Sequence, residues 1–235
     1  MKFLTRGLYA LTLTIFFQIS LSAEYLYKDE VIFNPAFKGE VEKLGSELYD
    51  KTGISLRLIM LKELPNEMGI VEYERELLKT FSTPTILLTF SEMNSKVDIL
   101  VNDASLYEYF DKKQVLSPVA SPVQAFTMAL FYSDSFSRFG DIASSYGGTI
   151  IPLLAGKAKK GEVLGKYSAS MFNGYADIAE QIADSKGIVL ENAVGNSNQN
   201  SILFVKVLFY GFIVYAIFMY IKRRLYARRK RLEQE

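Results

Sequence analysis

The chain has 235 residues, 49% of them hydrophobic, and it contains no Cys, His or Trp. Its formal net charge of +1 hides an uneven distribution, because residues 24–200 hold 17 Lys and Arg against 24 Asp and Glu, a net charge of −7. The missing Cys and His exclude disulfides, Ser-His-Asp and Cys-His nucleophiles, and zinc sites built on His or Cys. The acidic charge of residues 24–200 disfavours nucleic acid as a partner. A metal ion here would have to be a hard cation bound by oxygen ligands.

The first residues have the three-part layout of a secretory signal. Lys2 and Arg6 precede the apolar stretch 7–19, and residues 20–23 are small enough for cleavage. The pattern predicts a signal peptide over residues 1–23, with an uncleaved anchor as the alternative. An exported domain without disulfides fits a bacterial periplasm better than a small eukaryotic ectodomain.

Four elements are predicted in the first half of the exported region. Asn34 and Pro35 open a helix that ends before Gly53, and residues 54–61 form a strand. A second helix covers 71–81, and the apolar run 85–90 forms a central strand. A turn at 93–95 leads into an alternating partner strand over 97–101.

The second half gives weaker signals until its last helix. A short helix is predicted over 106–112, residues 123–132 suit either a helix or a strand, and 167–183 forms an amphipathic helix that Gly187 ends. One aromatic cluster has two interpretations: it caps the core, which we favour, or it is an exposed contact surface for a membrane partner. The cluster comprises Phe126, Phe131, Tyr132, Phe136 and Phe139.

The chain's last segments predict a membrane anchor. A linker at 193–201 precedes an apolar run from Ile202 to Ile221 that carries one charge, Lys206. Twenty residues at helical rise cover about 30 Å, the thickness of a bilayer's hydrocarbon core. The seven cations in the tail 222–235 predict that the tail lies in the cytoplasm and the N-terminal domain in the periplasm, a single-pass arrangement in the bacterial inner membrane. The alternative is a buried core helix with a basic surface tail.

The order of elements and four stretches resemble the TPM domain family, which includes thylakoid-lumen, photosystem II repair and receptor-modulating members. The stretches are 37–53, 54–61, 84–102 and 165–183. The resemblance implies a three-layer α/β/α domain with a small mixed sheet over 24–192, to which the sequence adds one C-terminal transmembrane helix. Residues 104–148 form a divergent or inserted segment, and Asn102-Asp103 replaces the family's usual glycine pair.

The resemblance implies two functions of different classes. The first is a non-catalytic interaction module that assists assembly or maintenance of a membrane protein complex. The alternative is a divalent-metal-dependent phosphatase, a phosphomonoesterase that would use Ca²⁺ or Mg²⁺.

Candidate site residues follow from position and charge. Asn102, Asp103 and Glu108 come after a strand end and could supply oxygens to Ca²⁺ or Mg²⁺, although Asn and Asp also end strands and cap turns, which is the reading we favour. Two basic segments could contact a partner or anionic lipid, with a solvated loop favoured for the first and a topological role for the second. Their residues are Lys157, Lys159 and Lys160, then Arg223, Arg224, Arg228 and Arg229.

Overall fold

The computed structural model describes residues 24–65, 68–159, 161–193, 209–224 and 226. The chain divides into two compact units, Met1–Ala193 and Val194–Glu235. The predicted signal peptide, most of the predicted linker and the first seven residues of the predicted span lie outside the described residues.

A four-stranded mixed sheet forms the centre of the first unit. Its strands are β1 (Leu26–Asp29), β2 (Ser55–Leu61), β3 (Thr85–Ser91) and β4 (Lys96–Val101), in that spatial order. β1, β2 and β3 run parallel, and β4 pairs antiparallel with β3. This confirms the predicted α/β class with a small mixed sheet and the central position of β3, while β1 had not been predicted.

Helix α1 (Pro35–Thr52) begins and ends where the sequence predicts. The Asn34 side chain accepts a hydrogen bond from the Ala36 amide, and Pro35 occupies the first turn, where its missing N–H costs nothing. Gly53 closes the helix in the left-handed region at φ 73°, a conformation that glycine adopts without a Cβ penalty.

Helices cover both faces of the sheet, as the predicted three-layer arrangement requires. On one face, α1 and the long helix α7 (Val163–Ser185) bury an apolar core with alternate side chains of β2 and β3. On the other face, α2 (Ile70–Leu78) packs over Ile59, Leu61 and Leu87. Successive side chains of a strand point to opposite faces of the sheet, and both faces of β2 and β3 are buried. These two strands therefore contribute side chains to a core on each side.

The segment after β4 consists of short helices. The predicted helix at 106–112 is wrong in detail: a 3₁₀ helix (Ala104–Glu108) and α3 (Lys112–Val115) stand there instead. Residues 123–132, which suited either a helix or a strand, belong to α4 (Pro122–Tyr132). α5 (Phe136–Ser144) and α6 (Ile151–Ala155) complete the segment.

A half-buried carboxylate fastens the end of the first unit to α1. Glu47 accepts hydrogen bonds from the Glu191 and Asn192 amides at 2.6 and 2.8 Å, and Lys51 lies 2.7 Å away. Burial alone would raise the pKa of Glu47, but these donors outweigh it and lower the pKa to about 2. The clamp fixes where the chain leaves the domain.

The second unit contains a helix over 209–224 in which every residue is exposed. Residues 209–221 of this helix carry no charge, and Lys222, Arg223 and Arg224 follow. Within the described part of the chain, no helix is both long and apolar enough to cross a bilayer. Residues 202–208 of the predicted span lie outside that part.

Candidate functional site

The residues predicted to bind a metal have structural roles at the end of β4. Asn102 accepts a hydrogen bond from the Thr85 amide at 2.8 Å and donates one to the Thr83 carbonyl at 2.7 Å, so it joins the end of β4 to the start of β3. Asp103 caps the 3₁₀ helix by accepting the Ser105 amide, which lowers the pKa of Asp103. Glu108 is exposed at the helix's other end.

These roles match the capping alternative for Asn102 and Asp103. Among the described residues, no group of three or more acidic side chains is placed to hold a metal ion. Oδ1 of Asn102 and Oδ1 of Asp103 each accept a hydrogen bond from a backbone amide. Local backbone pairing therefore accounts for the presence of Asn and Asp at these two positions.

An open cleft of about 1150 Å³ lies between the segment after β4 and the C-terminal part of α7. Its walls combine aromatic rings, two lysines and several acids, with more apolar than polar surface. Tyr109 contacts the Lys186 ammonium, which lies 4.2 Å from the ring centroid. The lining includes Tyr107, Glu108, Tyr109, Phe110, Lys112, Lys113, Gln181 and Asp184.

A hydrogen-bonded network holds the cleft's walls together. Gln181 on α7 accepts the Asp111 amide at 2.8 Å and donates to Gln114 at 2.7 Å. Asp177, one turn earlier, accepts from the Thr149 hydroxyl at 2.9 Å and from Gln181 at 3.1 Å. Burial raises the pKa of Asp177, while the hydrogen bonds from Gln181, Thr149 and Gln114 oppose that rise. The network fixes α3 and the 147–149 turn against α7, so the cleft is a preformed surface.

A buried acid lies between α2 and the sheet, and sequence reasoning missed it. Glu74 is fully buried, and no hydrogen-bond partner reaches either of its carboxylate oxygens among the described residues. Burial raises the pKa of Glu74 to about 8; the nearby Thr89 hydroxyl opposes this rise and the Asp98 charge adds to it. Thr89 acts here by proximity, since its geometry falls short of a hydrogen bond. Glu74 therefore carries a proton at neutral pH.

Lys112 connects this buried acid to the cleft. Its ammonium bonds the Asp98 carboxylate at 2.7 Å and the Ile99 carbonyl at 2.5 Å, and the residue also lines the cleft. Asp98 faces Thr89 across the β3–β4 ladder, which places the pair on the α2 side of the sheet. Glu74 therefore holds a proton beside the ion pair that Lys112 and Asp98 form.

The favoured interpretation of the aromatic cluster is wrong. Phe131 is 78% exposed, Tyr132 73% and Phe136 97%, and neither core contains a residue of α4 or α5. Phe126 on α4 and Phe136 on α5 both lie beside Phe139. Their ring centroids are 5.7 and 6.5 Å, respectively, from that of Phe139. α4 and α5 pack on each other, so the rings cover a helical hairpin and leave the core to other residues.

The predicted basic contacts are only partly described. Lys157 and Lys159 are exposed in the loop before α7, and Arg223 and Arg224 are exposed at the end of the 209–224 helix. Lys160, Arg228 and Arg229 lie outside the described residues.

No protein-family model matches the chain, and no curated protein matches it in sequence. The TPM resemblance stays a prediction.

Proposed function

We propose that the chain is a membrane-anchored, periplasmic, TPM-like interaction module that binds a protein component of a membrane complex and assists its assembly or maintenance. The observation that carries this proposal is the cleft. Its walls are cross-braced by side-chain hydrogen bonds between Gln114, Gln181 and Asp177. Aromatic rings beside lysines and acids at a preformed concave surface are typical of sites that bind a partner segment.

The second unit would supply the membrane anchor. The described helix over 209–224 is exposed along its whole length and ends in three cations. Sixteen helical residues cover about 24 Å. Residues 202–208, which are apolar except for Lys206, would extend the segment far enough to cross a bilayer. Lys206 could reach the outer interface with its long side chain. Arg223, Arg224, Arg228 and Arg229 would then face the cytoplasm.

Metal-dependent phosphatase activity has no comparable support. The candidate metal ligand Asp103 caps a 3₁₀ helix, and Asn102 holds two strands together.

Site-specific photo-crosslinking in cells tests the cleft directly. Glu108→benzoylphenylalanine places the crosslinker on an exposed cleft residue, and Val189→benzoylphenylalanine is the control at an exposed residue that does not line the cleft. We expect a discrete membrane-protein adduct at position 108 and none at 189. Lys113→Glu in the cleft should reduce the adduct about tenfold, whereas Lys43→Glu on α1 should leave it unchanged. Adducts that appear equally at both positions, or that survive Lys113→Glu, would contradict a partner in the cleft.

A further inference from the structure

The hairpin formed by residues 120–144, which contains α4 and α5, buries its small side chains and exposes its large ones. Ala125 and Ala129 are the buried residues of α4, whereas Phe131 and Tyr132 at its end are exposed. Phe136 begins α5 and is almost fully exposed. In water this arrangement leaves apolar surface uncovered, which marks a contact surface.

The two ends of the 120–144 hairpin are joined to each other at its base. The Ser117 hydroxyl donates to the Ser145 carbonyl at 3.2 Å, and the Gly148 amide donates to the Val119 carbonyl at 3.0 Å. A Cβ on Gly148 would lie 1.8 Å from the Ser117 carbonyl oxygen, so only glycine allows this approach. The hairpin is therefore closed at its base, and the Thr149 hydroxyl that follows donates to Asp177 on α7.

The charge pattern indicates what covers the hairpin. Residues 114–133 contain no charged side chain over twenty consecutive positions, in a chain that is 23% charged. Asp134 and Arg138, the first charges beyond this stretch, pair with each other. A surface that binds a protein partner usually has polar and charged residues at its rim. The hydrocarbon interior of a membrane, in contrast, excludes charged side chains. An uncharged surface that ends in Phe and Tyr fits the boundary between lipid headgroups and acyl chains.

The predicted linker is short enough to keep the first unit near a membrane, and this step rests on the anchoring proposed above. Nine residues at 193–201 reach at most about 30 Å when fully extended. A domain confined so close to the bilayer surface meets it at a high effective concentration, so even a weak apolar contact is populated.

We propose that the 120–144 hairpin is a lipid-binding surface that inserts Phe131, Tyr132 and Phe136 into the outer leaflet of the membrane that anchors the chain. The domain is then held at two points, the C-terminal helix and the hairpin. Because residues 24–200 are acidic and bacterial lipids are often anionic, the attraction comes from apolar burial, and raised salt does not weaken it.

Depth-dependent quenching in vesicles tests the proposal with the full chain. The chain has no Cys, so Phe136→Cys, Val189→Cys and Phe212→Cys each carry one environment-sensitive fluorophore. Each variant is reconstituted in vesicles of phosphatidylcholine and phosphatidylglycerol that contain nitroxide-labelled lipid. Val189 is the matched control, because it is apolar and 76% exposed but lies outside the hairpin. Phe212 reports on the anchor.

We expect nitroxides near the headgroup end of the acyl chain to reduce the fluorescence at position 136 about twofold, with no change at 189 and no loss in high salt. Quenching at 212 without quenching at 136 would overturn the hairpin proposal and leave the anchor intact. Absence of quenching at 212 would refute the anchor, while quenching at 136 would still show lipid contact. A protein partner would instead protect position 136 from water-soluble reagents in native membranes but not in vesicles of pure lipid. That result would overturn the proposal.

Discussion

Glu74→Gln should stabilise the folded chain by about 3 kcal/mol at pH 7 and leave its stability nearly unchanged near pH 4.5. The pKa of Glu74 is raised from 4.5 to about 8 by burial, so the folded state binds more protons than the unfolded state between these pH values. Stability therefore falls as pH rises through this window, by about 1.4 kcal/mol for each unit. Glutamine has the shape of the protonated acid and does not ionise, so the variant avoids this loss.

Equilibrium denaturation of the full chain in mild detergent, repeated from pH 4.5 to pH 8.5, measures the effect. Glu76→Gln is the control, because Glu76 lies on the same helix in an exposed pair with Lys79 and should change the free energy of unfolding by less than about 1 kcal/mol at any pH. If Glu74→Gln destabilised the protein at pH 8, the ionised carboxylate would be favourably paired and the raised pKa would be wrong.

Two glycines of α1 should respond in opposite directions to alanine. A Cβ on Gly45 would lie 2.3 Å from Cγ of Tyr25 and 2.4 Å from the Tyr175 hydroxyl, while a Cβ on Gly39 would meet no atom within 4 Å. The Tyr175 hydroxyl is buried and donates to the Leu56 carbonyl at 2.9 Å, so it cannot move without losing that bond. Gly45→Ala should cost about 3 kcal/mol from overpacking and the strained hydrogen bond.

Gly39→Ala should instead add up to about 1 kcal/mol, because alanine favours the helix and nothing obstructs its methyl group. Thermal unfolding midpoints of the two variants provide the comparison, at a pH where Glu74 is protonated in both. Equal behaviour of the two variants would show that the packing of α1 against β1 and α7 is looser than described.

Local signals in the sequence were enough to predict the regular elements around the sheet. Asn34-Pro35 and Gly53 bound α1 because capping and the left-handed conformation depend on single residues. The β3–β4 hairpin followed from alternation beside a turn in which Ser95 has φ 51°. β1 was missed because four residues carry too short a pattern to detect.

Sequence predicted less of the candidate sites, for a physical reason. Hydrophobicity does not show whether a helix faces the core, so the rings of α4 and α5 were assigned inward although Ala125 and Ala129 make the buried stripe. Glu74 was missed because acids are common on surface helices. A signal was present, since Glu74 lies four residues from both Ile70 and Leu78 on the side of α2 that faces the sheet.

Sidedness of the full chain in sealed membranes tests the central claim most directly. Single cysteines at Val189 and Glu235 are exposed to a membrane-impermeant maleimide in right-side-out and inverted vesicles. A domain held outside by one C-terminal span predicts labelling at 189 only in right-side-out vesicles and at 235 only in inverted ones. Labelling of both positions from the same side, or release of the chain by alkaline carbonate, would contradict the account.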